Sequence, residues 1–197
     1  MDILRKEKSE LRKSVLEKRD SLDISELQSK SQRIMENLFG MESFQKAESI
    51  MFFVSFRSEV MTDFMIRETL KMGKNVIAPR TETKAKDLQI SFIVDFNSDL
   101  TIGAYGILEP RQDSCKRAKA SDVDLVIVPG SVFAENGDRI GYGAGYYDRF
   151  LGKLKNGTKK IALAFDLQII DSVPSNNKDV KLDYIVTETR VITCKDA

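Results

Sequence analysis

Histidine and tryptophan are both absent from this chain of 197 residues, and cysteine occurs only twice. Without histidine, the sequence excludes Ser-His and Cys-His catalysis and every metal site that needs an imidazole ligand. Two cysteines, Cys115 and Cys194, are too few for a disulfide framework or a four-ligand zinc site, and they suit a reducing compartment. Any bound metal must therefore be held by oxygen atoms, which favours magnesium or a similar hard cation.

An excess of charge of one sign is also lacking, because 31 basic residues and 30 acidic residues leave a net charge of +1. Dedicated nucleic-acid binders normally carry a large basic excess, so we expect no nucleic-acid partner. The longest apolar run, 50–56, is interrupted by Ser55 and is too short to span a bilayer, and the N-terminus is charged from its second residue. We expect a cytoplasmic protein that binds no membrane, and we expect it to be a monomer.

The hydrophobic pattern predicts two N-terminal helices followed by strands that alternate with helices. Leu4, Leu11 and Val15 recur at helical spacing within 3–19. A second helix begins after Asp23 or Ser25 and ends at Gly40. The predicted strands are 49–54, 75–78, 88–94, 124–128, 161–165 and 184–187, and the later helices are 62–72 and 146–154. Pro79 is expected to close the second strand, and 95–121 is expected to be irregular with a tight turn at 103–106.

Short apolar strands that alternate with helices are typical of an α/β protein. We predict a three-layer α/β/α fold with a largely parallel central sheet, on which the N-terminal helices pack. A single domain is expected over 1–197, with N-terminal helices in 1–40 and the α/β core in 45–197. In such sheets ligands bind beyond the carboxyl ends of the strands.

A glycine-rich loop before the predicted helix at 146 is the most informative segment. Gly141, Gly143 and Gly145 alternate there, and glycine lets the backbone turn sharply and lets a ligand approach the amides. Amides and a helix start together favour an anion, most naturally a phosphate, although a flexible loop would carry the same glycines. Arg139 flanks the loop, and Asp148 in the first helical turn is either a metal ligand or a favourable first-turn charge.

This segment resembles the signature of the 5-formyltetrahydrofolate cyclo-ligase family, also called 5,10-methenyltetrahydrofolate synthetase. The residues that carry the resemblance are Pro129, Gly130, Phe133, Gly137, Arg139, Gly141 and the run 145–149. Further blocks resemble the family in the same order, namely 8–12, 54–59 with Thr62, 106–110, 164–165 with Gln168, Asp179, and 182–188. The resemblance therefore covers nearly the whole chain.

The resemblance implies that ATP and Mg²⁺ are used to convert 5-formyltetrahydrofolate to 5,10-methenyltetrahydrofolate, with release of ADP and phosphate. The implied catalytic residues are Arg139, Tyr146 and Asp148, and Mg²⁺ would be held by Asp148 and Asp179. The implied ATP contacts are Lys8, Ser9, Glu10, Leu11, Arg12, Arg139, Ile140, Gly141, Tyr142, Gly143, Ala144, Gly145, Tyr146 and Tyr147. The implied folate contacts are Val54, Glu59, Tyr142, Gly143, Ala144, Gly145 and Tyr146.

The chain departs from the family pattern at three positions. Lys178 stands where family members often have histidine, and Tyr142 and Ala144 stand where arginine, lysine or glycine is common. At positions 142 and 144 we therefore expect backbone contacts rather than side-chain contacts.

Each of the implied residues also has a simpler interpretation. Lys8 and Arg12 lie four residues apart and suit a solvated helix face, Glu59 suits a helix start near Thr62, and Tyr146 with Tyr147 suits plain packing. A non-catalytic folate- or nucleotide-binding module is the alternative function.

Overall fold

The structure is a computed structural model that describes residues 2–176 and 179–194, so Lys178 lies outside the described residues. Its helices are α1 (Asp2–Asp20), α2 (Ile24–Gly40), α3 (Glu42–Lys46), α4 (Asp63–Lys71) and α5 (Tyr146–Leu151). Its strands are β1 (Ser49–Met51), β2 (Asn75–Glu82), β3 (Asp87–Ile93), β4 (Leu100–Ile102), β5 (Leu108–Pro110), β6 (Leu125–Val128), β7 (Val132–Ala134), β8 (Arg139–Ile140), β9 (Lys159–Leu163), β10 (Ile169–Ile170), β11 (Tyr184–Val186) and β12 (Val191–Thr193).

Seven strands form the central sheet in the order β12-β11-β9-β6-β1-β2-β3. The five inner strands pair in parallel, whereas β12 and β3 pair antiparallel at the two edges. Antiparallel edge strands on an otherwise parallel sheet are common in α/β folds. The predicted fold class, an α/β protein with a largely parallel central sheet, is confirmed.

Alternate residues of the inner strands pack into separate layers on the two faces of the sheet. On β6, Leu125 and Ile127 join the apolar cluster of α2 and α4, while Val126 and Val128 join the cluster that contains Phe150 of α5. All four β6 side chains are fully buried. This alternation follows from the two-residue period of a strand and produces the three layers.

Helix α1 packs mainly on a second, smaller sheet, which has the strand order β10-β7-β8. Val15 of α1 is buried against Val132, Ala134 and Ile140, and Leu11 packs against the same cluster. Because β8 carries Arg139 and leads into the glycine-rich loop, this packing places α1 beside that loop.

The second helix begins as the sequence predicts. The Asp23 carboxylate accepts a hydrogen bond from the Glu26 amide at 2.8 Å, and the Glu26 carboxylate accepts one from the Asp23 amide at 3.1 Å. These reciprocal bonds form a capping box, which satisfies two amides that a helix start leaves unpaired. Helix α4 begins differently, since the Thr62 hydroxyl donates to the Phe53 carbonyl at 2.8 Å instead of capping the helix.

The prediction that Pro79 closes its strand was wrong, because β2 continues to Glu82 beside β3. The Ile77 carbonyl accepts from the Phe52 amide at the end of β1. Residues two apart in a strand present their backbone groups to the same side, so the Pro79 nitrogen points past the end of β1, where no pairing is lost.

Other boundaries also differ from the prediction. The region 95–121 contains the β4–β5 hairpin, and helix α5 ends at Leu151 rather than 154. Strands β7, β8, β10 and β12 were not predicted.

Candidate active site

The glycine-rich loop connects β8 to α5 and contains two residues in the left-handed backbone region. Gly143 has φ of 98° and Gly145 has φ of 69°, which L-residues with side chains rarely adopt. Within the described residues, the amides of 142–145 donate no hydrogen bond to another protein group. Unpaired amides in a row are an anion-binding arrangement, so the loop offers donors to a ligand.

Two cations of α1 make contacts at or beside this loop. Lys8 Nζ lies 2.5 Å from a carboxylate oxygen of Asp179, and Arg12 Nε donates to the Gly141 carbonyl at 2.9 Å. Burial lowers the pKa of Arg12, which marks a guanidinium drawn partly out of water. Both side chains of this helical face therefore make contacts within the protein, Arg12 with the loop and Lys8 with the segment before β11.

The other predicted residues of the N-terminal segment do not reach the loop with their side chains. Ser9 and Glu10 are exposed, and Glu10 forms a loose surface pair with Lys6 at 3.9 Å. Leu11 packs in the apolar cluster that also contains Ile140. Because Ile140 is 1% exposed, it can meet a ligand only through its backbone.

Arg139 and Asp148 form an ion pair of 2.6 Å, in which the Arg139 side chain is 2% exposed and the Asp148 side chain 26% exposed. Burial lowers the pKa of Arg139, and the negative charges of Asp148 and Asp179 oppose that effect. The Nε group of Arg139 is buried without a partner among the described residues. A long contact of 3.5 Å from the Val180 amide to Asp148 brings the Asp179 segment beside Asp148.

The carboxylates of Asp148 and Asp179 are a suitable donor set for Mg²⁺. They come from α5 and from the segment before β11, and both act on the same buried guanidinium. The described residues contain no group of three or more carboxylate, thiolate or imidazole ligands. Two carboxylates without further protein ligands fit Mg²⁺, which keeps most of its shell for water and phosphate oxygens.

The segment after β1 brings a buried carboxylate to the other side of the loop. One Glu59 oxygen accepts from the Phe56 amide at 2.9 Å, and the other accepts from the Tyr142 hydroxyl. Burial raises the pKa of Glu59, although these hydrogen bonds and the charge of Arg19 act against it. Val54, the other residue predicted here for the folate, is buried in the core cluster with 6% exposure.

Three tyrosines lie along the loop and the start of α5. Tyr146 interacts with Tyr105, which raises the pKa of Tyr146, and the Arg149 guanidinium stands 5.4 Å from the Tyr146 ring centroid. The Tyr147 hydroxyl is buried and has no partner in the described structure, and burial raises its pKa. The side chain of Tyr142 also forms part of the candidate site, because its hydroxyl donates a hydrogen bond to Glu59.

Arg149 holds the second half of the loop in place. Its guanidinium donates to the carbonyls of Ala144 at 2.9 Å and Lys86 at 2.6 Å. The Ala144 carbonyl is therefore occupied while its amide is free, and the β2–β3 hairpin supports the loop from outside.

Arg19 and Ser58 were not predicted from the sequence as site residues. Arg19 is 4% exposed and donates to the Ser58 hydroxyl at 3.0 Å and to the Tyr142 hydroxyl at 3.1 Å. A signal was present, because Arg19 follows Arg12 by seven residues and so lies on the same face of α1. The pattern alone did not show which loop that face meets.

Free loop amides, three clustered cations and two neighbouring carboxylates define the class of the site. Such a set can bind the phosphates of a nucleotide together with a divalent cation, and the buried Glu59 lies on the other side of the loop. The molecule is thus an α/β protein with a loop whose free amides can accept an anion.

Comparisons with known proteins agree with this class and narrow it. The model of the 5-formyltetrahydrofolate cyclo-ligase family matches residues 4–188. A Caenorhabditis elegans protein named as a probable 5-formyltetrahydrofolate cyclo-ligase is 30% identical, over 98% of each chain. The solution structure of Aquifex aeolicus 5,10-methenyltetrahydrofolate synthetase superposes with a TM-score of 0.84 at 33% identity, covering 96% of this chain and 94% of that one. The Mycoplasma pneumoniae 5,10-methenyltetrahydrofolate synthetase shares the fold, with a TM-score of 0.73 at 24% identity and coverage of 92% and 98%.

The chain belongs to the 5-formyltetrahydrofolate cyclo-ligase family, and it is an enzyme of the ligase class. Among the described residues, no helix is both long enough and apolar enough to cross a membrane.

Proposed function

We propose that this enzyme converts 5-formyltetrahydrofolate to 5,10-methenyltetrahydrofolate with consumption of ATP, in the presence of Mg²⁺, and releases ADP and phosphate. The observation that carries the proposal is the loop 142–145, whose amides are unpaired. Arg12 contacts the loop at Gly141, and the ion pairs Arg139–Asp148 and Lys8–Asp179 lie beside it. The family supplies the substrate class, and the loop supplies the phosphate site that an ATP-consuming ring closure needs.

The nucleotide is assigned to the side of the loop that faces α1. Loop amides bind the β- and γ-phosphates, and Lys8, Arg12 and Arg139 add charge-assisted hydrogen bonds, which are stronger than neutral ones. Asp148 and Asp179 hold Mg²⁺, which neutralises phosphate charge when it is bound. We expect Arg139 and Lys8 to turn from these carboxylates to the phosphates as the nucleotide binds.

The folate is assigned to the side of the loop that faces Glu59. A buried carboxylate such as Glu59, which is 9% exposed, suits the N–H donors of a pterin ring. Tyr146, whose ring is partly accessible beside Arg149, can stack on an aromatic ligand. The loop between the two assigned sides then brings the γ-phosphate towards the formyl group.

The chemistry follows from the poor leaving ability of the formyl oxygen. That oxygen attacks the γ-phosphorus, ADP leaves, and the formyl carbon becomes an imidoyl-type carbon that carries phosphate. N10 then attacks this carbon and loses its proton to the departing phosphate. The C–O bond breaks with release of phosphate, so the formyl oxygen ends in the phosphate product. Phosphoryl transfer of this kind needs alignment and charge stabilisation more than a protein base, which suits a chain without histidine.

The protein's tasks are therefore to align the two substrates and to exclude water. Arg139 is almost fully buried, and hydrogen bonds to charge in such surroundings are stronger than in water. The buried Tyr147 hydroxyl has no protein partner, so it is available to a bound ligand or to the intermediate. Closure around the intermediate prevents its hydrolysis.

The test combines product formation with isotope transfer. Purified protein is incubated with Mg-ATP and 5-formyltetrahydrofolate that carries heavy oxygen in its formyl group. We expect the methenyl chromophore to appear in step with ADP, and the heavy oxygen to be recovered in the released phosphate.

Two other outcomes would contradict this proposal in different ways. Ligand binding without ADP release would favour the non-catalytic binding module. Product formation with unlabelled phosphate would retain the activity but reject the phosphorylated intermediate.

We further propose that the enzyme acts in the cytoplasm as a monomer, without nucleic-acid or membrane partners. The balanced charge and the reduced cysteines support this assignment. Size-exclusion chromatography with light scattering tests it, and a dimeric mass would contradict the monomer.

A further inference from the structure

A hydrogen-bonded chain runs from the C-terminal end of α1 to the buried Glu59. Arg19 donates through Nε to the Ser58 hydroxyl at 3.0 Å and through a terminal nitrogen to the Tyr142 hydroxyl at 3.1 Å. The Tyr142 hydroxyl donates to Glu59, and Ser58 donates to Asp20. One guanidinium therefore links α1, the segment after β1 and the glycine-rich loop.

The direction of these bonds is fixed by the chemistry of arginine. A guanidinium only donates hydrogen bonds, so the Tyr142 hydroxyl must accept from Arg19 and direct its single proton to Glu59. The Phe56 amide holds the other carboxylate oxygen at 2.9 Å. Each oxygen still has acceptor capacity for a ligand, and the orientation of the carboxylate is set before a ligand arrives.

Arg19 also contributes the positive charge that acts on Glu59. The titratable groups that act on this carboxylate are Arg19 from α1 and Tyr142 from the loop, and Glu59 in turn acts on Tyr147 of α5. Burial raises the pKa of Glu59, and the positive charge of Arg19 lowers it. Without Arg19, the neighbours that remain are two neutral phenols, which stabilise a buried negative charge less well.

We propose that Arg19 is a positioning residue for the folate, which acts through Tyr142 to hold Glu59 ionised and correctly oriented for the N–H donors of the substrate. This inference rests on the proposed function, in which Glu59 contacts the folate. It assigns a role to a residue of α1 that touches neither substrate. Its effect is therefore specific to the folate and leaves the ATP side of the loop unchanged.

The test compares Arg19→Met, Arg19→Lys and the exposed control Arg33→Met in the full-length protein. Steady-state kinetics give KM separately for 5-formyltetrahydrofolate and for ATP, and equilibrium titration gives the Kd of 5-formyltetrahydrofolate without turnover. For Arg19→Met we expect KM and Kd for the folate to rise about 10-fold or more, the loss typical of a charge-assisted hydrogen bond, while KM for ATP changes less than about 2-fold. Arg33→Met should match the wild type.

The pH profile separates this role from a purely structural one. Loss of the Arg19 charge raises the pKa of Glu59 further, so the acid limb of kcat/KM for the folate should move to higher pH in Arg19→Met. Arg19→Lys keeps the positive charge, but an ammonium group lacks the planar guanidinium that donates to Ser58 and Tyr142 at once. The acid limb of its pH profile should therefore move less, while its KM for the folate still rises.

Several results would overturn the inference. Equal losses for ATP and folate, an unmoved acid limb, or an unchanged Kd for the folate would each show that Arg19 only supports the fold. If Arg19→Met does not fold, Arg19→Lys and Tyr142→Phe decide, because both must weaken folate binding selectively. A wild type that binds the folate but forms no methenyl product would reject the proposed function, and the Kd comparison would still test Arg19.

Discussion

Arg139 Nη2 lies 2.6 Å from Asp148 Oδ1, and this ion pair ties strand β8 to the first turn of α5 across the glycine-rich loop. Lys8 and Asp179 form a second pair of 2.5 Å beside it. Each pair joins a residue assigned to phosphate with a residue assigned to Mg²⁺. We expect the nucleotide and the metal to exchange these partners, so that the four charges stay balanced with and without ligand.

The unequal burial of Arg139 and Asp148 predicts unequal effects of their removal on stability. Asp148→Asn leaves the Arg139 charge buried without a full counter-charge, and we expect a loss of about 3 kcal/mol in the free energy of unfolding, the low end for a broken buried pair. Arg139→Met leaves a carboxylate that water reaches, since the Asp148 side chain is 26% exposed, so its loss should be smaller. Urea unfolding measures both variants. Equal losses, or the reverse order, would contradict the burial argument.

Arg139 should matter for the nucleotide more than for the folate. Arg139→Met removes a charge-assisted phosphate contact of about 1.5–3 kcal/mol, which corresponds to a fall of roughly 10- to 150-fold in kcat/KM for ATP. Initial rates at varied ATP and saturating folate provide the measurement, with Arg33→Met as the control for loss of an exposed arginine. An unchanged kcat/KM for ATP would remove Arg139 from the site.

Gly143→Ala should destabilise the loop, because Gly143 has φ of 98°, a backbone conformation that costs a residue with a side chain about 1–3 kcal/mol. We expect lower stability and a higher KM for ATP. The matched control is Gly40→Ala at the end of α2, where an added methyl group meets no atom within 4 Å. That change should stabilise the protein by up to about 0.5–1 kcal/mol. Thermal unfolding of both variants tests the opposite signs, and a stabilising Gly143→Ala would argue against the loop conformation.

The raised pKa of Glu59 predicts the pH dependence of stability. An acid whose folded-state pKa is raised stabilises the fold fully below its unfolded pKa of about 4.3, and this contribution is lost as pH rises through the folded pKa. The free energy of unfolding of the wild type, relative to Glu59→Gln, should therefore fall as pH rises from about 4 towards neutrality. Urea titrations at a series of pH values measure the difference. A relative stability that rises with pH would mean that the hydrogen bonds outweigh burial at this carboxylate.

The sequence was sufficient to predict the helices and strands that are marked by patterns among neighbouring residues. The inner strands are short runs of β-branched and apolar residues, and Asp23 with Glu26 marks the start of α2 directly. The edge strand β12 escaped prediction because only Ile192 of its three residues is buried, which leaves no pattern to detect. The extension of β2 through Pro79 could not be predicted, because it depends on where the neighbouring strand β1 ends in the tertiary structure.

In the candidate site, too, local features could be predicted from the sequence and long-range contacts could not. Alternating glycines, Arg139 and Asp148 lie within ten residues, so their proximity was readable from the sequence. The Lys8–Asp179 pair joins residues 171 positions apart, and only the family resemblance indicated that both belong to one site. For Arg19 the spacing of seven residues from Arg12 showed the helix face but not its partners, because Ser58 and Tyr142 meet it only after α1 packs on the small sheet.

The most direct test of the account is a crystal structure of the protein with a Mg²⁺ complex of a non-hydrolysable ATP analogue. The account predicts phosphate oxygens within hydrogen-bonding distance of the amides of 142–145, Mg²⁺ at about 2.1 Å from an Asp148 oxygen, and Arg139 turned from Asp148 to the phosphates. A triphosphate bound away from this loop, or a metal that neither Asp148 nor Asp179 contacts, would contradict it.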